Sequence, residues 1–589
     1  MHVHLIGVAG TGMGSLAGLL RAAGHRVTGS DRAFYPRWGP RSRAGASRPA
    51  PATTRRTSSP RPTSWSSATC AGPITWEARA AIDRGLRYAS FPATLAELFL
   101  AERAPYVVAG THGKTTTSAL LAFLLERCGL DPGMLIGGIP RDFEASFRLG
   151  HAGGPFVVEG DEYDSAFFEK TPKLWQYRAR AAILTSIEHD HLDIYPDEAS
   201  YRAAFEGFVD RLPEDGTLVA WAGSPLVREV AARARCRVVW YGLASDDTGG
   251  VAPTWQAAPH AARSGVQPFD LFIGGSATPT VLSPLSGLHN VRNAVAALAL
   301  AAEAAGARLD VLLDALRRFG GVKRRQELLG VADGVRVYDD FAHHPTAVRE
   351  TLRGLRARHP EGTLFAAFEP RSATASRNLH QEAYGEAFGD ADVALLAPVG
   401  RPEIADDERL DVGAIARALR ERGLDADAPP DHDALLARLV DRAAPGDTIV
   451  LMSNGDFWRP ARSPARPPRD APEGEVSVLP DARIPFYGDD PWSWPRFLYK
   501  ASTGSAKAFD VVTHAEMTFM IDVAGSPRAV EEVPLHTLAE IYDRAIGAPK
   551  LPAVVLDHAL ERGWFSHRVE AGDEPRLDEF VGLWGRTAA

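Results

Sequence analysis

The stretch VVAGTHGKTTTSALLAFLL, residues 107–125, constrains this chain more than any other. An apolar run stops at a glycine, a tight turn carries Gly-Lys-Thr-Thr, and an apolar helical pattern starts at once. A strand, a glycine turn and a helix in that order let backbone amides and the positive end of the helix dipole cradle an anion. Lys114 is placed to neutralise the β- and γ-phosphates of a nucleotide, and Thr115 to ligate magnesium. The spacing is unusual, with only two residues between Gly110 and Gly113. The common phosphate loop places four between its glycine and Gly-Lys. A chance Gly-Lys-Thr is common in itself; with strand and helix both in place, ATP binding is the expectation.

The same grammar recurs along the chain and predicts an α/β fold. HVHLIGVAGTGMGSLAGLLRAAGHRVTGSD opens as strand, glycine turn, helix and strand, with glycines at 7, 10, 12 and 14 and Asp31 where an acid often meets a ribose. Alone that pattern is weak, and a tight strand-to-helix turn explains it equally. At 589 residues the chain has room for three or four domains. A net charge of −9 gives no reason to expect a nucleic-acid partner, and three scattered cysteines give no disulfide framework or metal cluster. MHVHLIGVAG lacks the features of a signal peptide, and no apolar run reaches about 18 residues, so a cytoplasmic protein with no membrane partner is expected.

Two places break the pattern. Residues 37–76 hold seven Arg, six Pro, no Asp, Glu or Lys, and no Leu, Val or Phe. Such a segment has too little apolar surface to offset the entropy of ordering it, and disorder is expected there. The third strand and helix of a doubly wound domain are expected to be missing with it. Residues 459–472 hold four Arg and five Pro in fourteen residues. Both read as GC-rich DNA translated out of frame; the rival reading is a natural disordered insertion. The boundaries that follow are 1–98, 99–320 and 321–458, a linker at 459–475, and an extension at 476–589 of unknown role.

Chemistry-bearing residues gather after apolar runs. PFVVEGDEYDS puts Glu159, Asp161, Glu162 and Asp164 beyond a strand, where metal ligands beside a phosphate loop belong; a solvated acidic turn is the plainer alternative. SIEHDHLDIY offers Glu188, His189, Asp190, His191 and Asp193 for a second metal or a carboxylate substrate. GLHNVRNA places His289, Asn290 and Asn293 at a helix start, where Asn290 is equally a helix cap. GGVKRRQE carries Lys323, Arg324 and Arg325, and YDDFAHHPTAV carries Asp339, Asp340, His343 and His344 before a helix opened by Pro345. FEPRSATASRN ends a strand with Arg371 and Arg377. All lie where α/β sheets place ligands, beyond the carboxyl ends of strands.

Taken in order, the N-terminal glycine turn, GTHGKTTT, EGDEYDS, EHDHLDIY, GLHNVRNA, GVKRR and DDFAHHP resemble the Mur ligase family, over roughly residues 1–36 and 77–458. The short phosphate loop is that family's form. The resemblance implies three domains: a Rossmann-like UDP-sugar domain at 1–98, a central P-loop ATPase at 99–320 and a Rossmann-like peptide-binding domain at 321–458. It implies an ATP- and Mg2+-dependent ligase of peptidoglycan recycling, joining UDP-N-acetylmuramate to L-Ala-γ-D-Glu-meso-diaminopimelate through an acyl phosphate. GSDRAFYP, DEYDSAFFEKTPK and FEPRS favour that tripeptide over L-alanine as the incoming amine. An inactive ATP-binding protein is the alternative that the damaged N-terminal domain keeps open.

Residue by residue, the resemblance implies catalytic roles for Lys114, Glu162 and His191, with Thr115, Glu162 and His191 as metal ligands. Gly110, Thr111, His112, Gly113, Lys114, Thr115, Thr116, His289, Asn290, Asn293, Arg325 and Asp340 match the ATP side. Gly7, Gly10, Gly12, Met13, Ser30 and Asp31 match the UDP-sugar side, and His343 and Arg371 the peptide side. A monomer is expected.

Overall fold

The computed structural model describes residues 1–31, 64–67, 76–455 and 457, apart from 144, 167, 192, 193, 263, 264, 402 and 403. The expected linker 459–475, the extension 476–589 and most of the segment 37–76 lie outside the described residues, as does Asp193.

The N-terminal sheet is parallel. Strand β1 (His2–Ile6) pairs on one side with β2 (Arg26–Ser30) and on the other with β3 (Ser64–Ser67), which pairs in turn with β4 (Tyr88–Ser90). Val3, Leu5 and Ile6 are buried, and helix α1 (Thr11–Ala22) lays Leu16, Leu19 and Leu20 in one core with Val3 and Leu5. β3 overturns one expectation. The third strand is present inside the aberrant segment, its backbone registered on β1 from Val3–Ser64 to Ile6–Ser67. Strand pairing is made by main-chain groups, which every residue except proline possesses in full, so a sequence poor in apolar residues still supplies a ladder.

An eleven-stranded mixed sheet follows. Its centre is β5 (Ala104–Ala109), parallel to Pro155–Gly160 on one side and Ala181–Leu184 on the other. These three strands are apolar nearly throughout because helices cover both faces. Lys114–Arg127 and Leu288–Ala305 share one core on one face; Leu120, Leu121, Leu124 and Leu125 are fully buried there. Each such leucine contributes about 2 kcal/mol by area removed from water. Helix α1 seats against this lobe: a Cβ on Gly18 would come within 2.0 Å of the Phe147 ring, and Ser15 and Ser146 share a 2.7 Å hydrogen bond.

The third sheet has six strands, ordered Glu327–Ala332, Val335–Asp340, Thr448–Ser453, Leu364–Glu369, Val393–Leu396 and Asp425–Asp427. All pairs are parallel except the first, which is a hairpin. No helix among the described residues is long and apolar enough to cross a membrane.

Candidate active site

The glycine turn after β5 admits no other residue at two points. Gly110 has φ +130°, and a Cβ there would lie 2.1 Å from Thr185 Oγ1; Gly113 has φ +79°, and its Cβ would lie 2.4 Å from Asn293 Oδ1. Both conformations are ones L side chains rarely adopt. Gly113 caps the helix Lys114–Arg127 with no side-chain hydrogen bond, so the first-turn amides stay available to an anion. Thr111 and His112 are fixed from the segment just beyond the neighbouring strand Ala181–Leu184, Thr111 N–H donating to Ser186 O at 2.8 Å and His112 N–H to Ser186 Oγ at 3.0 Å. Thr116 is buried in the first turn.

Lys114 and Glu162 form the hub. Lys114 Nζ donates to Gly110 O at 2.6 Å and to Glu162 Oε2 at 3.0 Å. Glu162 is fully buried, and its Oε1 also accepts from Tyr201 O–H at 3.2 Å and lies 3.0 Å from His191 Nε2. Burial pushes the Glu162 carboxyl up, but Lys114 and the His191 bond outweigh it and hold the pKa at about 2. For His191 burial works downward, and the Glu162 bond wins to leave it raised. His191 has φ +57°, and its Nδ1 meets Tyr163 O–H at 2.9 Å.

Thr115 does not share a carboxylate with Lys114. Its Oγ1 donates to Glu159 Oε1 at 2.7 Å, and Glu159 Oε2 accepts Gly137 N–H at 2.7 Å. Burial and the nearby Asp161 push the Glu159 carboxyl above its usual range. Glu159, Asp161 and Glu162 all act on Lys114, and Lys173 lies 3.7 Å from Asp161. These carboxylate and hydroxyl oxygens are of the hard-donor kind that magnesium takes, and in this structure they are paired with Lys114, Lys173 and His191.

The third lobe reaches this site. Arg325 Nη2 donates to Thr115 Oγ1 at 3.2 Å, while Arg324 stays within its own lobe on Asp339 and the Ser453 and Gly455 carbonyls. Glu188 Oε2 accepts from Thr346 Oγ1 at 2.9 Å and lies 3.1 Å from His112 Nε2. His344 caps the helix Pro345–Arg358, and with His112 and Glu188 it makes a group whose ligand atoms lie within 4.8 Å of one another. Since Glu188 is already bonded to both lobes, this group closes the interface. His289 stands 3.7 Å from Glu350 across the same boundary.

Other expected residues are placed with different partners. The helix Leu288–Ala305 is capped by Gly287, so Asn290 is not its cap; Asn290 is buried, donating to Ser286 O at 2.8 Å and accepting from Asn293 Nδ2 at 3.2 Å. Asp340 is spent on Gln326 N–H and Ala342 N–H, at 2.7 and 2.8 Å, and so ties the Arg325 segment to its lobe. His343 is held on the Phe341 carbonyl at 2.9 Å, and Arg371 stands 3.4 Å from Glu369. In the first lobe, Asp31 Oδ2 accepts Ala9 N–H at 2.8 Å, fixing the glycine turn from Gly7 to Gly10, and Gly7 N–H donates to Ser30 O at 2.7 Å. A Cβ on Gly12 would lie 3.4 Å from the Phe91 ring, and Met13 is buried in the core. Tyr195 and Tyr201, which back the Glu162 hub, read in sequence only as buried aromatics.

Family models match in the same order. The Mur ligase family catalytic domain covers residues 2–46, the Mur ligase middle domain 108–301, and the Mur ligase glutamate ligase domain 324–455. A relative from Escherichia coli K12, UDP-N-acetylmuramate–L-alanyl-γ-D-glutamyl-meso-2,6-diaminoheptandioate ligase, is 35% identical over 467 residues, covering 78% of this chain and 96% of its own. The chain belongs to the Mur ligase family. As a Mur ligase it is an ATP-dependent enzyme that forms a carbon–nitrogen bond. A UDP-N-acetylmuramate–L-alanine ligase from Roseiflexus is 33% identical, covering 78% of this chain and 97% of its own. The crystal structure of a murein peptide ligase from Psychrobacter arcticus superposes with a TM-score of 0.57 at 32% identity, over 78% of this chain and 96% of that one.

Proposed function

We propose that this Mur ligase joins the lactyl carboxylate of UDP-N-acetylmuramate to the free amine of L-alanyl-γ-D-glutamyl-meso-diaminopimelate, in the recovery of cell-wall peptide in the cytoplasm. The observation that carries the chemistry is the Lys114–Glu162–His191 hub at the N-terminus of the phosphate-loop helix, with Arg325 arriving from the third lobe onto Thr115. The tripeptide reading draws support from the Escherichia coli relative, whose name states that substrate, and from the Psychrobacter arcticus murein peptide ligase. The assignment of residues 1–98 to the UDP-sugar, 99–320 to ATP and 321–458 to the peptide belongs to the same proposal.

Thr115, Glu159, Glu162 and His191 would hold magnesium, whose charge screens the repulsion between a carboxylate and a triphosphate. The loop amides at 110–116 bind the phosphates, and Lys114 turns from Glu162 to the transferring phosphoryl group, where negative charge develops. The lactyl carboxylate attacks the γ-phosphorus, giving an acyl phosphate and ADP. The peptide amine, held by the third lobe near His343 and Arg371, then attacks the acyl carbon; phosphate leaves and the amine proton is released. Asn290, Asn293 and His289 position the nucleotide side of the loop.

Phosphate release with Mg-ATP and UDP-N-acetylmuramate, compared between the tripeptide and L-alanine, tests the proposal. Release that requires the tripeptide is expected. Release with L-alanine instead would move the enzyme to the reaction named for the Roseiflexus relative, and release with neither would mean an inactive chain.

A further inference from the structure

Three imidazoles gather around Glu188 where the central lobe meets the third. His112 belongs to the phosphate turn, Glu188 follows the strand Ala181–Leu184, and His344 stands at the N-terminus of the helix Pro345–Arg358. One ligand atom from each of the three lies within 4.8 Å of the other two, and His112 Nε2 and Glu188 Oε2 are already 3.1 Å apart. Donors around a four-coordinate ion with bonds of about 2.0–2.2 Å stand about 3.3 Å from one another. One pair is therefore at the separation an ion needs, and the third donor has about 1.5 Å or less to close. His380 comes from a further segment. Its ring packs edge-on against His344 with centroids 4.8 Å apart, and His344 packs against His112 at 4.9 Å. His380 Nε2 is buried without a hydrogen-bond partner among the described residues, and a buried nitrogen left unpaired calls for a ligand or another explanation. Burial holds His344 at about 3 and His380 below its ordinary 6.5, so both rings are neutral near pH 7 and each carries a lone pair. Burial pushes the Glu188 carboxyl up, but the His112 bond outweighs it and keeps Glu188 ionised. Imidazole nitrogens with one carboxylate suit zinc and its neighbours in the transition series, whereas magnesium takes oxygen donors.

We propose that His112, Glu188 and His344 bind one transition-metal ion of the zinc class, with His380 beside them as the donor that completes the coordination, and that this ion clasps the third lobe to the phosphate turn. The ion replaces two hydrogen bonds. It takes the place of the one between His112 and Glu188, with the imidazole proton carried on Nδ1. His344 Nδ1 accepts Thr346 N–H at 3.3 Å, a long helix cap. That cap is given up whichever nitrogen turns to the ion: Nδ1 itself, or Nε2 with the ring proton moved to Nδ1. Neither exchange gains or loses a proton. Because the ligands come from both lobes, the ion stabilises the arrangement in which Arg325 reaches Thr115. Nucleotide held between clasped lobes leaves more slowly.

The full chain, stripped with a chelator and kept in excess Mg2+, is titrated with Zn2+ by calorimetry. One equivalent is expected to bind. His344→Asn and Glu188→Gln should each weaken it by more than about tenfold, the least that losing even an outer partner of a metal ligand costs. Asn keeps a capping side chain and Gln keeps an acceptor for Thr346, so neither substitution unseats the lobes. Zinc that binds both variants as tightly as the unsubstituted chain overturns the site. Co2+ is read on the unsubstituted chain. The intense visible absorption of a four-coordinate ion is expected, and the weak spectrum of a six-coordinate, oxygen-bound one also overturns it. Zn2+ is expected to slow dissociation of bound ATP in the unsubstituted chain and not in His344→Asn; a rate that zinc does not change overturns the clasp. None of these readouts needs turnover. A chain that behaves as expected in all of them but releases no phosphate with the tripeptide refutes the proposed reaction alone.

Discussion

Replacing Lys114 removes two things at once. It takes the positive charge from the phosphate loop and strands a fully buried carboxylate, Glu162, at the centre of the site. Lys114→Met is therefore expected to lose stability by about 3–5 kcal/mol, the usual cost of breaking a buried pair from one side. Adding Glu162→Gln should recover most of that, read as the urea midpoint of the double variant, because a neutral amide needs no counter-charge. Phosphate release should stay at least about a hundredfold down in both variants; a double variant as unstable as the single one would contradict the pairing. At this scale the sequence showed Lys114 and Thr115 through a local motif. It named Glu162 but not which carboxylate belongs to which partner. Thr115 meets Glu159 and Lys114 meets Glu162 because neighbouring strands set the distance, and no spacing within one segment encodes that.

The phosphate turn and the histidine-bearing elements of the third lobe make predictions of a different kind. Gly113→Ala would force a methyl group to within 2.4 Å of Asn293 Oδ1 at a φ of +79°. It is expected to abolish nucleotide binding measured by titration with ATP, while Gly129→Ala, at a similar φ but with nothing within 4 Å, should keep it. Among the histidines, burial pushes His343 and His359 down to about 4 and His344 down to about 3, from an ordinary value of 6.5. The unfolded chain therefore binds more protons than the folded one below 6.5. The stability due to these groups is complete above pH 6.5 and is lost as pH falls from there through about 4. Thermal unfolding is expected to move to lower temperature between pH 7 and pH 5, and a midpoint independent of pH over that range would show that these rings are not buried as neutral groups. β3 marks the limit of pattern reading at this scale. Its residues carry no strand signal, and only the pairing with β1 and β4 reveals it.

Across the whole chain the site is assembled from lobes far apart in sequence. Arg325 meets Thr115 over 210 positions, and Thr346 meets Glu188 over 158. Glu188→Ala removes an acceptor shared by His112 and Thr346, so it should loosen the third lobe from the phosphate loop. A larger radius of gyration by small-angle scattering is expected, together with slower turnover and unchanged ATP affinity; an unchanged radius with normal turnover would show that the contact does not hold the lobes together. The sequence by itself determined the α/β class, the phosphate loop and the order of the motifs, because these depend on residues adjacent in the chain and on the periods of strand and helix. Only the tertiary structure decided which carboxylate each partner takes, that Asn290 lies inside its helix, that Asp340 serves the backbone of its own lobe, and that a strand lies within the aberrant segment. Those facts depend on distances between segments, and such distances are fixed by strand pairing and packing after the chain has folded.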